Sequence, residues 1–223
     1  MPYRRTDNVA RKLAARHEAI LSAAQALAAE GGMAAVQIAP VAERAGIAAG
    51  TVYRYFPSKT ALIAAVVAAV SERELAAVRR AADAAPGPLS ALAGAITTLA
   101  ARALVRRRLA WAVIAEPVDA EIDKVRLVYR RALAAELEVR LATAIRGRQL
   151  PEQDVRVAAP ALVGALLEGL VGPLAPEVND RGQARDAVQT LTLLALRAVG
   201  VVDAHARGLV VQCAMPAPEE GAA

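Results

Sequence analysis

Between Thr51 and Lys59, six side chains can bond an anion: the hydroxyls of Thr51, Tyr53, Tyr55 and Ser58, the guanidinium of Arg54 and the ammonium of Lys59. Hydroxyl donors mixed with cations at this density suit the holding of phosphate oxygens rather than the making or breaking of bonds. The chain has six aromatic residues, and Tyr53, Tyr55 and Phe56 fall within four consecutive positions here. Elsewhere little could serve a reaction. The two histidines, His17 and His205, are far apart, the one cysteine is Cys213, and Asp119, Glu121 and Asp123 lack metal-ligand spacing. No Ser/His/Asp arrangement, Gly-rich phosphate loop or paired catalytic carboxylates stand out. The expectation is a chain with no enzymatic activity, no metal and no cofactor.

The elements that must position this cluster can be read locally. Residues 38–59, IAPVAERAGIAAGTVYRYFPSK, read as two short helices with a glycine between them. Pro40 suits the first position of a helix over 40–45, where its missing N–H costs nothing. Gly46 is the turn, with Ala42 and Ala45 small enough for a second helix to cross closely. That second helix, over 49–56, has Ile47, Val52 and Phe56 as inner anchors and ends at Pro57. Its outer face shows Ala49, Gly50, Thr51, Arg54 and Tyr55, a small leading end that can press into a major groove, followed by longer groups that reach phosphates. Tyr53 adjoins Val52 and Phe56, which leaves core packing and phosphate contact both open. Ser58 can cap the next helix. Lys59 in that helix's first turn opposes the positive end of the dipole, unless a phosphate occupies the same place. Arg44 reads as a solvated surface charge.

The remaining chain reads as helix throughout. Hydrophobic residues make up 56%, with Ala and Leu prominent and no strand-like alternation. A basic arm over residues 1–8 precedes a first helix ending at Gly31-Gly32, with Leu13, Ile20, Ala24 and Leu27 on one face. A long helix over 59–84 leads into further helices over about 89–105, 107–115, 121–146, 153–172 and 182–200. A tail from about Pro216 reads as disordered. Net charge is +5, and residues 1–60 hold eight basic against four acidic side chains, so most of the excess lies there and suggests a polyanionic partner. Despite a mean hydropathy of +0.34, neither 61–70 nor 157–176 gives the ~18–20 unbroken apolar residues of a spanning helix. With a polar N-terminus and a single cysteine, a cytoplasmic protein with no membrane partner is expected.

Residues 16–70 resemble the N-terminal domain of the TetR (tetracycline-repressor) family, through AILSAAQALAAEGG and the pattern AG-I-x-x-GT-V-Y-R-Y-F-x-SK. The resemblance implies an all-α fold. A three-helix helix-turn-helix domain, placed at 13–72, is joined by a long helix to a larger ligand-binding and dimerisation domain, placed at 73–212. It implies a homodimeric transcriptional regulator, most often a repressor, that binds a palindromic operator and responds to a small-molecule inducer. Carried over by position, Thr51, Tyr53, Tyr55 and Lys59 would bond phosphates, and Ala49, Gly50 and Arg54 would face the groove. Gln37 would meet a phosphate at the start of the second helix, and Arg4 and Arg5 could reach flanking duplex. Ala48 stands where many members have Ser, so a probable N-cap is missing.

In the second half, Trp111 and Tyr129 read either as core or as pocket wall. Glu168, which interrupts an apolar helix, could meet a cationic ligand or pair across a subunit interface. The run 106–108 reads as a solvated helix end rather than a second DNA patch. The helices over 153–172 and 182–200 carry wide apolar faces, Val163, Leu166, Leu167, Leu170 and Val171 on one and Val188, Leu191, Leu194, Ala195 and Ala198 on the other. These would build a four-helix bundle with their twofold mates. The alternative is a helical ligand-binding or scaffolding protein whose DNA binding is degenerate.

Overall fold

A computed structural model describes the backbone of residues 3–213 and the side chains from residue 8 onward. Among the described residues there are ten α-helices, one 3₁₀ turn (Met33–Ala35) and no strand. The first three helices are α1 (Tyr3–Gly31), α2 (Ile38–Arg44) and α3 (Ala49–Tyr55). The long α4 (Lys59–Asp83) runs without a break past position 72. Then come α5 (Pro88–Val105), α6 (Arg107–Ile114), α7 (Ala120–Arg146), α8 (Val155–Val171), α9 (Arg181–Ala198) and α10 (Asp203–Gln212).

α5 is the centre of the larger half, in contact with α4, α6, α7, α8, α9 and α10. Its sequence explains this: alanines and Gly94 let neighbours approach on every side, and a Cβ at Gly94 would stand 3.3 Å from the Ala81 carbonyl of α4. It is the one described helix long and apolar enough to cross a membrane, and 67% of that stretch is buried inside the fold. Such all-round apolarity is what a central core helix requires. Leu133, Leu137 and Leu141 of α7 and Leu166 and Leu170 of α8 complete this core. α4 and α7 are further joined by Glu136, which is buried and accepts from Arg79 Nε (3.1 Å) and Arg140 Nε (2.8 Å).

Several elements differ from the sequence expectation. The backbone at 3–8 is the first turn and a half of α1 rather than a loose arm, while the side chains of Arg4 and Arg5 and the tail beyond 213 lie outside the described residues. Leu13 is exposed, because the part of α1 that packs begins only at Ile20. α2 starts at Ile38, which makes Pro40 its third residue; the first-turn N–H groups of a helix lack acceptors, so proline fits there too. α10 forms beyond the last helix expected from the sequence, seated by Ala206 and Leu209. The apolar face of α8 expected to meet a partner (Val163, Leu166, Leu167, Leu170 and Val171) is buried within the chain. What α8 shows to the outside is a row of smaller residues, Pro160, Ala161, Gly164 and Ala165.

Candidate nucleic-acid interface and ligand cavities

The turn between α2 and α3 is closed by its backbone. Gly46 (φ +65) donates to the Glu43 carbonyl (3.1 Å), and Ile47 donates to the Ala42 carbonyl (2.9 Å). These two bonds form a Schellman cap, which needs a left-handed residue where Gly46 stands. Of the three expected anchors, Val52 and Phe56 are buried and Ile47 is half-buried against the core; Val41 and Ala42 of α2 are buried as well. The opposite arc of α3 presents Ala49, Gly50, Tyr53 and Arg54 to solvent, with Thr51 and Tyr55 half-buried on its flank. Tyr53 is 52% exposed, so its ring is not core. Tyr55 instead leans on the core, with its ring 6.2 Å from that of His17, which itself lies 5.1 Å from Phe56. His17 is exposed as expected, yet it forms a lid over the α3 anchors.

At the start of α4, Ser58 Oγ accepts from the Ala61 N–H (3.0 Å), and Lys59 follows as the first helical residue. At α3 the equivalent cap is missing: Ala48 has extended backbone (φ −72, ψ 144) and offers no side-chain acceptor. Gln37 is exposed at the start of α2 and turns its amide back on the Ala34 carbonyl (2.9 Å). Arg44 makes two bonds to Glu30 (2.6 and 3.0 Å). Those bonds hold the Glu30 carboxyl below its usual range and the Arg44 guanidinium above its own, so Arg44 is a paired side chain rather than a free solvated one.

In the larger half, Trp111 and Glu168 line one cavity of about 650 Å³ between α6, α7 and α8. Glu168 accepts from the Leu174 N–H (3.2 Å) and folds over Gly172, where a Cβ would meet the carboxylate at 2.4 Å. Tyr129 is elsewhere. It is buried beside a much smaller cavity (about 30 Å³) with Ser71, Glu74 and Arg102, and burial followed by the Glu74 charge raises its phenol pKa. Arg102 is fixed on Glu74 through Nε (2.6 Å) and Nη2 (3.1 Å). The Ser71 hydroxyl is buried there with no hydrogen-bond partner. Arg106 lines this small cavity, while Arg107 and Arg108 border a groove against the end of α1, so the run 106–108 is divided between two places.

Two residues that sequence reasoning missed connect the halves. Arg126 is buried and donates to three carbonyls at the end of α6, those of Ala112 (2.8 Å), Val113 (2.9 Å) and Glu116 (2.7 Å). Glu116, so held, accepts from the Met33 N–H (2.8 Å) at the turn that follows α1. Gly32 beside it has φ +73 and ψ −173, a conformation open essentially to glycine alone. The available signal was register: Ile122, Arg126, Tyr129 and Leu133 share one face of α7, and only Arg126 is charged.

Comparison with known proteins follows this division. Residues 20–66 match the family described as "Bacterial regulatory proteins, tetR family". A stretch of 58 residues is 53% identical to the HTH-type transcriptional repressor KstR of Rhodococcus jostii (strain RHA1). The likeness to the TetR family is carried by this N-terminal region. The aligned stretch covers 26% of this chain and only 27% of that repressor. For KstR of Mycolicibacterium smegmatis the identity is 47% over 77 residues, 34% of this chain and 38% of the relative. Over most of the chain the fold is shared with solved structures. FadR of Bacillus halodurans superposes with a TM-score of 0.71 at 20% identity, covering 84% of this chain and 97% of that one. RolR in complex with resorcinol superposes at 0.67 with 24% identity, covering 95% and 100%. At these identities the likeness is one of fold.

Proposed function

We propose that this chain is a ligand-responsive transcriptional regulator, a repressor, that binds a palindromic operator as a homodimer. The observation that carries this reading is the α3 surface: Tyr53 and Arg54 face outward from a helix anchored by Val52 and Phe56 behind a Schellman turn, with Ser58 and Lys59 at the next helix start. Thr51, Tyr53, Tyr55 and Lys59 would hold phosphates, with Gln37 at the start of α2. Ala49, Gly50 and Arg54 would face the groove, where base readout leans on Arg54, thymine methyl contacts and duplex shape. Residues 13–72 form the reading unit and 73–212 the ligand and dimer unit.

Dimerisation through α8 and α9 is supported by their outer surfaces. Ala161 and Ala165, beside the cavity-lining Pro160 and Gly164, leave room for close helix approach, and Leu194, 56% exposed on α9, is a large apolar residue that a partner would cover. For the ligand, the cavity lined by Trp111 and Glu168 has the volume of small-molecule sites. Related folds have been seen with resorcinol (RolR) and with stearoyl-CoA (Bacillus subtilis FadR). Tyr129 would act on the neighbouring small cavity. Binding would reach the reading head through α6, whose end carries Glu116 to the Met33 N–H, as well as through α4.

A gel shift with DNA from upstream of the chain's own gene tests the proposal, with sedimentation for the dimer. A retarded, salt-sensitive complex at two protomers per site is expected. The uncapped, bare segment 48–50 favours the rival reading of a helical ligand-binding or scaffolding protein with degenerate DNA binding. Absence of any complex, with ligand binding retained, would select that rival.

A further inference from the structure

The charges around Trp111 point to the class of ligand. Resting on the reading of the α6–α7–α8 cavity as the effector site, we infer that it takes an anionic amphiphile, an apolar body ending in a carboxylate or phosphate group. The cavity wall is mainly apolar, with Trp111, Leu127, Val163 and Leu167 among its residues, and Arg130 and Arg131 are its two cations. Arg107 and Arg108 stand on the other side of Trp111, in a groove of about 490 Å³ shared with Gly31 and Gly32.

Each site also holds one carboxylate, Glu168 in the cavity and Glu116 in the groove, so arginines outnumber acids two to one at each. Glu168 is folded over Gly172 and accepts from Leu174, and Glu116 accepts from Met33. Among the described residues, no carboxylate lies within ion-pair distance of Arg107, Arg108, Arg130 or Arg131, whereas seven of the fourteen other arginines between 73 and 212 are ion-paired. Arg130 makes only a long bond to the Ile114 carbonyl (3.3 Å). Two guanidiniums against one carboxylate at each site leave a net positive potential that disfavours a cationic guest, while an acid group gains charge-assisted, bidentate bonds there. The apolar body would be held by burial against the aliphatic wall. A short acid can be satisfied by Arg130 and Arg131 alone. A phosphate-rich thioester would extend past Trp111 to Arg107 and Arg108.

Trp111 is the only tryptophan, so its emission reports on the site in the full-length protein. The probes are decanoate, decanoyl coenzyme A and decyltrimethylammonium, each below its micellar concentration. Saturable emission changes are expected with one or both anions and none with the cation. Substitution R130Q/R131Q should weaken anion binding about ten-fold or more, with an unchanged circular dichroism spectrum. R107Q/R108Q should weaken the thioester and spare decanoate. Tighter binding of the cation, no saturable response to either anion, or wild-type anion affinity in R130Q/R131Q would each overturn the inference. Operator binding measured on the same samples without ligand separates the two readings. DNA binding with no anion response sinks the ligand class alone, and anion binding without DNA binding sinks the regulator.

Discussion

The reading head and the helical body place their polar groups on opposite sides. All the buried polar or charged residues (Ser71, Thr97, Thr98, Arg126, Glu136 and Thr192) lie in α4 or beyond it. In α2 and α3, the buried residues are aliphatic or aromatic, and the tyrosine, arginine and lysine groups stand at the surface. In the body, polar side chains join helices to one another: Thr97 and Thr192 pair between α5 and α9 (3.3 Å), Arg126 closes the end of α6, and Glu136 gathers Arg79 and Arg140. A buried polar group ordinarily makes its bonds inside, and the Ser71 hydroxyl is the exception among these. In the head Arg44 is paired with Glu30 and Gln37 turns back on Ala34, but Tyr53, Arg54 and Lys59 make no side-chain bond among the described residues and are free for another molecule. Function in the head is therefore written on its outside, and function in the body on its interior.

The sharpest break of this comparison is a core truncation. Leu133 is fully buried in α7, and Leu133→Ala should destabilise the protein by about 2–5 kcal/mol. Denaturant unfolding would show it as a lowered midpoint. The α3 surface, which Leu133 does not form, should keep its operator affinity wherever the protein remains folded. A loss of operator affinity equal to that of a head mutant, in the folded protein, would mean that the halves are not separable.

The contact between the halves comes next. Gly32→Ala puts a Cβ 2.7 Å from Glu116 Oε2 at a backbone that alanine avoids, a cost of about 1–3 kcal/mol. Glu116→Gln leaves the backbone intact and weakens only the bond to the Met33 N–H. It should cost less stability than Gly32→Ala and loosen the dependence of DNA binding on ligand. An unchanged ligand response in Glu116→Gln would remove this contact from the coupling.

On the head, Lys59→Ala and Tyr53→Ala should each lower operator affinity by roughly ten-fold. The slope of log affinity against log salt should fall by about 1 for Lys59→Ala. Thermal unfolding should move little, since Tyr53 is exposed and Lys59 makes no ion pair among the described residues. Equal affinity at matched salt would take either residue off the contact surface.

How far each half could be read from its sequence follows from the same contrast. The head's chemistry depends on local spacing: Ala42, Gly46, Val52 and Phe56 fix two helices within fifteen residues, and the structure keeps all four in those roles. The body's helices were legible from apolar period and from Pro and Gly breaks, to within two residues at most ends. Its interior pairings were not. Which face of α8 meets α5, α7 and α9 rather than a partner depends on packing far along the chain, and an apolar stripe reads the same for both. Glu168 and Tyr129 were singled out together, yet one lines the larger cavity and the other the smaller. The contact from Glu116 to Met33 spans 83 positions, beyond any local pattern.

The smallest expected effect concerns the two helix starts that flank the proposed phosphate-holding surface. α4 begins on Ser58, whose hydroxyl accepts from the Ala61 N–H, and α3 begins on Ala48, which has the extended backbone of an N-cap without the acceptor. Ser58→Ala should therefore cost about 1 kcal/mol, and Ala48→Ser should gain about 0.5–1 kcal/mol, the hydroxyl accepting from the N–H of Gly50 or Thr51. Both are measured as shifts in denaturant midpoint. Their consequences for DNA should differ as well. Ser58→Ala loosens the turn that presents Lys59 and should lower affinity for every sequence alike. Ala48→Ser adds a hydroxyl beside the bare Ala49-Gly50 edge and should sharpen discrimination between operator and random duplex. If Ala48→Ser stabilises the protein without altering discrimination, α3 is already well formed in solution, and its bare start reflects reading by shape rather than looseness.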